Sequence, residues 1–276
     1  MRLILLTALT MCAFAANSVL TRAAVEGGHL GPGAFAVLRV ASGAMMLGAI
    51  AAWRGNALPL MRRARLPGMI SLTLYMVGFS LAYVTLDAGL GALILFGVTQ
   101  ITMFAHAALF AQRPDLRQIS GAGIAFAGLV VVLWPGADSV TDPVGAGLMV
   151  AAGIGWAAYT IAGRGAADPL AATGANFILC LPVLALLLAG SAWAWDPVGV
   201  ALAVVCGAVT SGLGYALWYA VLRQMRGPTA AVVQLSVPVI AIAAGALLLG
   251  EGVTPSVVLA AALVVGGIGW AVTAKG

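Results

Sequence analysis

The chain has 276 residues, of which 63% are hydrophobic and only 8% are charged. Together with a mean hydropathy of +1.10, this composition excludes an ordinary water-soluble domain and indicates a protein whose solvent is the lipid bilayer. The formal net charge of +5 is accounted for by membrane topology and attraction to anionic lipid, so it predicts no nucleic-acid partner.

Ten apolar stretches of roughly membrane-spanning length follow one another along the chain. A stretch of this length crosses the hydrocarbon core as a helix, which satisfies its own backbone hydrogen bonds. They cover approximately residues 3–21, 32–53, 67–86, 89–110, 117–134, 143–162, 169–190, 198–222, 228–249 and 255–273. The connections are short, so no domain outside the membrane is expected.

The second half of the sequence repeats the first. Residues 91–134 resemble residues 229–272, and the run from Phe14 to Asn17 resembles the run from Trp156 to Tyr159. Dividing the chain into repeats 1–136 and 137–276 places five segments in each, and an odd number makes the second repeat enter the bilayer from the opposite side. Such inverted repeats are typical of transporters.

The predicted fold is therefore an all-α integral membrane protein, with ten transmembrane helices in two inverted five-helix repeats around a central cavity. The first segment is expected to be retained and not cleaved as a signal peptide, because its repeat mate is internal.

Basic residues set the predicted orientation, because they accumulate on the cytoplasmic side of inner-membrane proteins. With the amino terminus inside, Arg22 lies at the outer surface and Arg39 within a helix. The cytoplasmic basic residues are then Arg2, Arg54, Arg62, Arg63, Arg65, Arg113, Arg117, Arg164, Arg223, Arg226 and Lys275. Both termini are expected in the cytoplasm, and the chain in a bacterial inner membrane.

Catalytic motifs are not found in the sequence. It has no Gly-rich phosphate loop after a strand, no His-Glu metal pair, no paired intramembrane carboxylates and no Ser-His-Asp set that the topology could bring together. Cys12, Cys180 and Cys206 lack metal or redox spacing and are expected to pack as small apolar residues. The protein is therefore expected not to be an enzyme and to need no cofactor or metal. A non-transporting membrane enzyme or scaffold is the alternative of a different class.

Aromatic and amide side chains recur near the predicted membrane centre. Tyr75, Phe79 and Tyr83 are spaced by four residues, which places them on one helical face. Buried amides are expected to face one another, water or a ligand, because they would stay unsatisfied in lipid. The predicted site is a central, uncharged, aromatic-lined cavity, with ordinary packing as the alternative. Its candidate substrate-binding residues are Asn17, Tyr75, Phe79, Gln100, Trp156, Tyr159, Tyr215, Trp218 and Gln234.

Candidate hinges and switches lie within the same segments. Pro238 removes a backbone hydrogen bond and predicts a kink, either static or mobile, and Gly97 and Gly214 permit bending or close approach. Arg39 and His106 are ionisable groups inside the bilayer, so both are candidate proton or polar switches. The alternatives are that Arg39 snorkels or bonds carbonyls of a neighbouring helix, and that His106 completes a polar cluster.

The sequence resembles the EamA type of the drug/metabolite transporter superfamily. The resemblance rests on the ten-segment inverted plan, on Pro32 with Arg39 in the second segment, and on an Ala-rich ninth segment with Pro238 that ends in Gly250-Glu251. Within the superfamily the chain is most similar to the YddG aromatic amino acid exporters of bacterial inner membranes.

This resemblance implies a cavity lined by helices one, three, four, six, eight and nine. The sequence departs from the family pattern at Gln100, where a proline is expected, and at Gln112-Arg113, where Gly-Glu is expected. The first repeat is therefore expected to bend less than the second.

The predicted function is export of neutral and aromatic amino acids and related small metabolites by alternating access. Because no carboxylate is placed at the membrane centre, transport is expected to be facilitated and not coupled to an ion. The alternative is proton-coupled efflux of a drug or another metabolite. The expected partners are the small-molecule substrate and membrane lipid, and the oligomeric state stays open, a monomer included.

Overall fold

The computed structural model describes residues 2–61, 63–110, 115–133, 142–163, 168–190, 195–222, 224 and 233–272. The first repeat contributes α1 (Arg2–Val25), α2 (Pro32–Trp53), α3 (Leu66–Ala82), α4 (Ala88–Phe110) and α5 (Leu116–Leu133), with a 3-10 turn at Arg63–Arg65 before α3. The second contributes α6 (Pro143–Gly163), α7 (Pro169–Leu187), α8, α9 (Ser236–Leu249) and α10 (Pro255–Val272). Helix α8 comprises Pro197–Val205, a π-helical stretch at Cys206–Leu213, and Gly214–Leu222.

The described residues form a helical bundle with an apolar exterior. Seven helices, α1 to α4 and α6 to α8, are long and apolar enough to cross a membrane, whereas α5, α9 and α10 are shorter apolar helices over their described residues. Large apolar side chains such as Ile4, Met45 and Phe126 are exposed on the outside, as a bundle embedded in lipid requires. The predicted all-α membrane fold is confirmed, and the helices of the described residues agree with the predicted count of ten.

The pattern of contacts between helices stays the same when each helix is replaced by its counterpart in the other half, five places away in the chain. Helix α2 packs on α7, α4 on α9 and α5 on α10, so each of these helices contacts its own counterpart. Helix α3 packs on α6 as α8 packs on α1, and α4 packs on α6 as α9 packs on α1. This is the pattern expected of two related halves. The exact division between residues 136 and 137 stays a prediction, because residues 134–141 lie outside the described ranges.

Three helices of the second half begin with the same Asp-Pro pair. Asp142, Asp168 and Asp196 each accept hydrogen bonds from backbone N–H groups in the first turn of α6, α7 and α8. Proline follows each aspartate at the first helical position, where a missing N–H costs nothing. The three helix starts are therefore fixed by local sequence.

Each of these aspartates also bonds a loop of the first half. Asp142 accepts a hydrogen bond from Thr85 at 2.8 Å, and Asp168 accepts one from Asn56 at 3.0 Å. Asp196 pairs with His29. These three aspartates, which cap the starts of α6, α7 and α8, thus also connect the two halves outside the apolar core.

A glycine contact brings α8 against α2. A Cβ atom on Gly207 would lie 2.1 Å from the carbonyl oxygen of Arg39 and 2.0 Å from Oγ of Ser42. Only glycine fits there, so the backbone of the π-helical stretch lies directly against α2.

Several residues used to predict orientation lie outside the described ranges. They are Arg62, Arg113, Arg164, Arg223, Arg226 and Lys275. The predicted orientation therefore stays a prediction, and Arg54, Arg63 and Arg65 are described together between α2 and α3. The family departure at Gln112-Arg113 also lies outside the described ranges.

Candidate functional site

Side chains from α1, α3, α4, α6 and α8 enclose a small cavity at the centre of the bundle. Its volume is about 10 Å³, room for at most one water molecule. The residues that line it are Phe14, Asn17, Ser18, Tyr75, Phe79, Leu95, Phe96, Trp156 and Tyr215. Five of the candidate substrate-binding residues, Asn17, Tyr75, Phe79, Trp156 and Tyr215, are therefore brought together by the fold.

Trp156 lies at the centre of the aromatic contacts. Its ring centroid is 5.0 Å from that of Tyr75, 5.1 Å from that of Tyr215 and 6.1 Å from that of Phe14. The Phe14 ring meets the Trp156 ring edge-on at 85°, a geometry that favours the contact of a positive ring edge with a negative face. Such pairs contribute about 0.5–1.5 kcal/mol each beyond the apolar area they bury. One residue of α6 thus holds α1, α3 and α8 together.

Two further candidates lie next to this cluster. The ring centroid of Tyr159 is 5.7 Å from that of Trp156, and the ring centroid of Trp218 is 5.8 Å from that of Phe14. Neither lines the cavity, so they support its walls.

Asn17 is held by the π-helical stretch of α8. Its Oδ1 accepts hydrogen bonds from the hydroxyls of Thr210 at 2.6 Å and Ser211 at 3.2 Å, and from Sγ of Cys206 at 3.3 Å. Short π-helical stretches often occur at functional sites because they redirect side chains that an α-helix would point elsewhere. Here the stretch points three polar groups at one amide oxygen.

Arg39 is buried beside the cavity. Its Nε donates to Oγ of Ser211 at 3.1 Å and its Nη2 donates to Oη of Tyr75 at 3.1 Å. The guanidinium carbon lies 4.8 Å from the ring centroid of Phe79, a cation–π contact. Arg39 is 0% exposed, so it does not snorkel, and its described hydrogen bonds go to side chains and not to carbonyls. A charged side chain therefore lies beside the cavity that was predicted to be uncharged, although Arg39 is not among the residues that line it.

Gln100 and His106 lie in a different place. They line a separate pocket of about 340 Å³ between α4, α5, α6 and α10, which shares no lining residue with the aromatic cavity. Gln100 is buried, and its Nε2 has no hydrogen-bond partner among the described residues. His106 is exposed at the surface of the bundle. Gln234 is buried just before α9 and does not line the aromatic cavity.

The three candidate hinges differ in their surroundings. A Cβ atom on Gly97 would lie 2.9 Å from Leu129, so Gly97 permits close approach of α5. Gly214 begins the last α-helical part of α8, directly after the π-helical stretch. The helix is interrupted at Leu235, three residues before Pro238. Pro238 has no backbone N–H to donate to the preceding turn, so it cannot continue the helical hydrogen bonds across this interruption.

An ion-pair cluster joins three helices at the end of the bundle where α1 ends. We call Arg22, Asp87 and Glu251 the Arg22 cluster. Arg22 lies 3.4 Å from Asp87 and 3.7 Å from Glu251, and Glu251 accepts a hydrogen bond from the backbone N–H of Ala88 at 2.7 Å. Burial raises the pKa of Glu251, while this N–H and the charge of Arg22 oppose the rise. The cluster connects α1, the start of α4 and the end of α9.

Two features of the site were missed in the sequence. The π-helical stretch leaves no recognisable local signal. Phe14 does have a sequence signal, which is its match to Trp156 in the internal repeat. Residues related by the repeat can meet near the axis between the halves, as these two rings do. No group of three described His, Cys, Asp or Glu side chains has the arrangement of a metal site.

Similarity to known proteins was found by family, by sequence and by structure. The model of the EamA-like transporter family matches residues 1–134 and again residues 143–273. An uncharacterized protein of Pseudomonas aeruginosa is 43% identical over 276 residues, covering 97% of this chain and 93% of the relative. An uncharacterized transporter of Archaeoglobus fulgidus is 26% identical over 206 residues, covering 73% of this chain and 74% of the relative.

A solved structure described only as the crystal structure of a protein aligns over 96% of both chains. Its TM-score is 0.70 and its sequence identity is 19%, which supports the fold alone.

Proposed function

Because the chain belongs to the EamA-like transporter family, it is a membrane transporter, and we propose that it exports neutral and aromatic amino acids and related small metabolites. The proposal includes a bacterial inner membrane, cytoplasmic termini and facilitated alternating access without ion coupling. The substrate class rests on the central aromatic cavity and on the resemblance of the sequence to the YddG exporters.

The observation that carries this proposal is the contact of Trp156 with Tyr75, Phe14 and Tyr215 around the amide of Asn17. Aromatic rings present flat apolar faces that stack on an aromatic or aliphatic side chain, and an amide supplies hydrogen bonds to a polar backbone. Stacking discriminates only modestly between side chains, so a range of neutral amino acids is expected to bind.

Alternating access is supported by the closed state of the centre. A cavity of about 10 Å³ cannot hold an amino acid, so a solute enters only after the two halves move apart. The Arg22 cluster joins α1, α4 and α9 at one end, and these contacts would hold that end closed. Breaks in helical regularity at the π-helical stretch of α8 and before Pro238 supply places where helices bend.

The test is counterflow of radiolabelled L-phenylalanine into proteoliposomes of the purified protein, with and without an imposed pH gradient. Saturable counterflow without a gradient is the expected result, because a facilitator exchanges solute without a driving ion. Empty liposomes supply the background. Absence of counterflow for every neutral amino acid tested would refute the proposed substrate class.

The pocket at Gln100 and His106 favours a second candidate, proton-coupled efflux of a drug or another metabolite. At about 340 Å³ this pocket is large enough for a small ligand, and His106 is a titratable side chain at its wall. Flux that appears only with the pH gradient, and that is lost in His106→Gln, would favour this candidate over the facilitator.

A further inference from the structure

Arg39 carries a charge that the described residues do not neutralise. A guanidinium stays protonated in proteins, and the side chain of Arg39 is completely buried. No ion pair is formed between Arg39 and a described carboxylate. The described acidic residues all lie at helix ends or in loops: Glu26, Asp87, Asp115, Asp142, Asp168, Asp196 and Glu251.

The guanidinium of Arg39 retains an unused donor. Nε is engaged by Ser211 and Nη2 by Tyr75, but Nη1 is buried with no hydrogen-bond partner among the described residues. An unpaired buried charged donor is costly in a bilayer, so it points to a partner other than the described protein groups, such as a bound solute or a water molecule.

The neighbours of Arg39 place its guanidinium group next to the central cavity, although Arg39 is not itself among the residues that line it. Its guanidinium carbon lies 4.8 Å from the ring centroid of Phe79 and 5.5 Å from that of Tyr75, and both rings line the cavity. Ser211 connects the same guanidinium to Oδ1 of Asn17, another lining residue. Because Oδ1 is occupied as an acceptor, only the Nδ2 group of Asn17 remains for other partners, and it can only donate.

The site therefore offers one fixed positive charge and hydrogen-bond donors beside aromatic walls, and its natural complement is a single carboxylate. We propose that Arg39 binds the carboxylate of the transported solute, so that the substrate class is monocarboxylates with an apolar side chain, zwitterionic amino acids included. This inference rests on the proposed function, whose substrate class it narrows by excluding amines and uncharged drugs. A phosphate carries more negative charge than one guanidinium balances.

A purely structural role of Arg39 would use the same contacts to join α2, α3 and α8. The two roles differ in one respect, which is whether the charge of the ligand matters. Four probes separate them while keeping the aromatic ring constant: L-phenylalanine, L-phenylalaninamide, 3-phenylpropanoate and phenethylamine.

Binding of each probe to the purified wild-type protein is measured by thermal shift. L-Phenylalanine and 3-phenylpropanoate are expected to bind at least about tenfold more tightly than the amide and the amine, since they alone supply a charged acceptor to Arg39. Equal binding of acids and amines, or no binding of any probe, would overturn the inference without any variant being needed.

Variants locate the preference at Arg39. Arg39→Gln is expected to lose the preference for a carboxylate, and Arg39→Lys to retain part of it as a point charge without the planar fork. Arg54→Gln, which removes an exposed arginine between α2 and α3, is the matched control and should keep the wild-type preference. A folded Arg39→Gln variant that still prefers carboxylates would overturn the assignment.

Counterflow separates this inference from the proposed function. Tight binding of 3-phenylpropanoate without amino-acid counterflow would support the carboxylate site and refute amino acids as the transported solutes. Counterflow of L-phenylalaninamide as fast as that of L-phenylalanine would support the transporter and refute the role of Arg39.

Discussion

Phe14 and Trp156 occupy equivalent positions in the two halves of the sequence, and their rings meet at the centre of the bundle with centroids 6.1 Å apart. Equivalent residues contact each other only near the axis that relates the halves. The candidate site therefore lies between the two repeats, which under the proposed alternating access would move against each other. This placement gives a direct physical reason why a solute bound there would be exposed alternately to the two sides.

We expect Trp156→Ala to reduce counterflow of L-phenylalanine by at least about tenfold, because it removes the ring that holds Tyr75, Phe14 and Tyr215 together. Gln100→Ala is expected to change counterflow by less than about twofold, because Gln100 lines the other pocket. Radiolabelled counterflow in proteoliposomes measures both.

Trp53→Ala is the matched control, because Trp53 is 86% exposed and lies at the end of α2. Loss of counterflow in Gln100→Ala with normal counterflow in Trp156→Ala would move the solute site to the pocket of Gln100 and His106.

Glu251→Ala is expected to open the end of the bundle closed by the Arg22 cluster. The change removes the acceptor for the N–H of Ala88 and a charge partner of Arg22. A cysteine introduced at Ser18, which is 1% exposed and lines the cavity, should then react several-fold faster with a water-soluble maleimide. The rate is measured in a background without Cys12, Cys180 and Cys206.

Glu251→Gln should give an intermediate labelling rate, because its amide oxygen still accepts the hydrogen bond from Ala88 but carries no charge. Glu26→Ala removes an exposed carboxylate at the same end and should leave the rate unchanged. Equal rates in wild type and Glu251→Ala would mean that the Arg22 cluster does not close this end.

Asp142→Asn is expected to lower thermal stability in a pH-dependent way. The backbone N–H of Gly145 and then the hydroxyl of Thr85 hold the pKa of Asp142 below its ordinary value of 3.8. A lowered folded-state pKa stabilises the fold at pH values above 3.8, and this contribution is lost as the pH falls through the folded pKa. The difference in melting temperature between wild type and Asp142→Asn should therefore shrink on acidification.

Asp115→Asn is the control for this measurement, because the described side-chain hydrogen bond of Asp115 goes to Gln118 in the first turn of α5 and connects no second helix. Its effect on the melting temperature should be smaller at neutral pH. A wild-type advantage over Asp142→Asn that grows on acidification would contradict the sign of the pKa shift.

Gly207→Ala is expected to destabilise the protein by about 1–3 kcal/mol, the usual cost of overpacking. The new Cβ atom would lie 2.1 Å from the carbonyl oxygen of Arg39, and that backbone atom moves only with α2. Thermal unfolding measures the effect. Gly48→Ala is the control, because Gly48 lies in α2 and nothing lies within 4 Å of a Cβ atom added there. This change should be neutral or slightly stabilising.

Adding Ser42→Ala to Gly207→Ala removes the Oγ that the new Cβ would meet, but not the carbonyl oxygen of Arg39. The double variant should therefore recover little stability. Full recovery would show that the serine hydroxyl, and not the close approach of the two backbones, requires glycine at this position.

The sequence by itself determined the membrane class, the ten helices, the paired halves and the family, because segment length, apolar composition and internal repeats are properties of local sequence. It also placed Tyr75 and Phe79 on the site, since spacing of four residues fixes a shared helical face. The finer similarity to aromatic amino acid exporters stays a prediction.

Only the tertiary structure decided which candidates meet. In lipid the outside of a bundle is as apolar as its inside, so hydropathy does not reveal how a helix is rotated about its axis. Rotation and approach are set by packing between distant segments, such as Gly207 against Arg39. That packing places Gln100 at a separate pocket, brings polar groups of α8 to Asn17, and puts the charge of Arg39 beside the aromatic cavity.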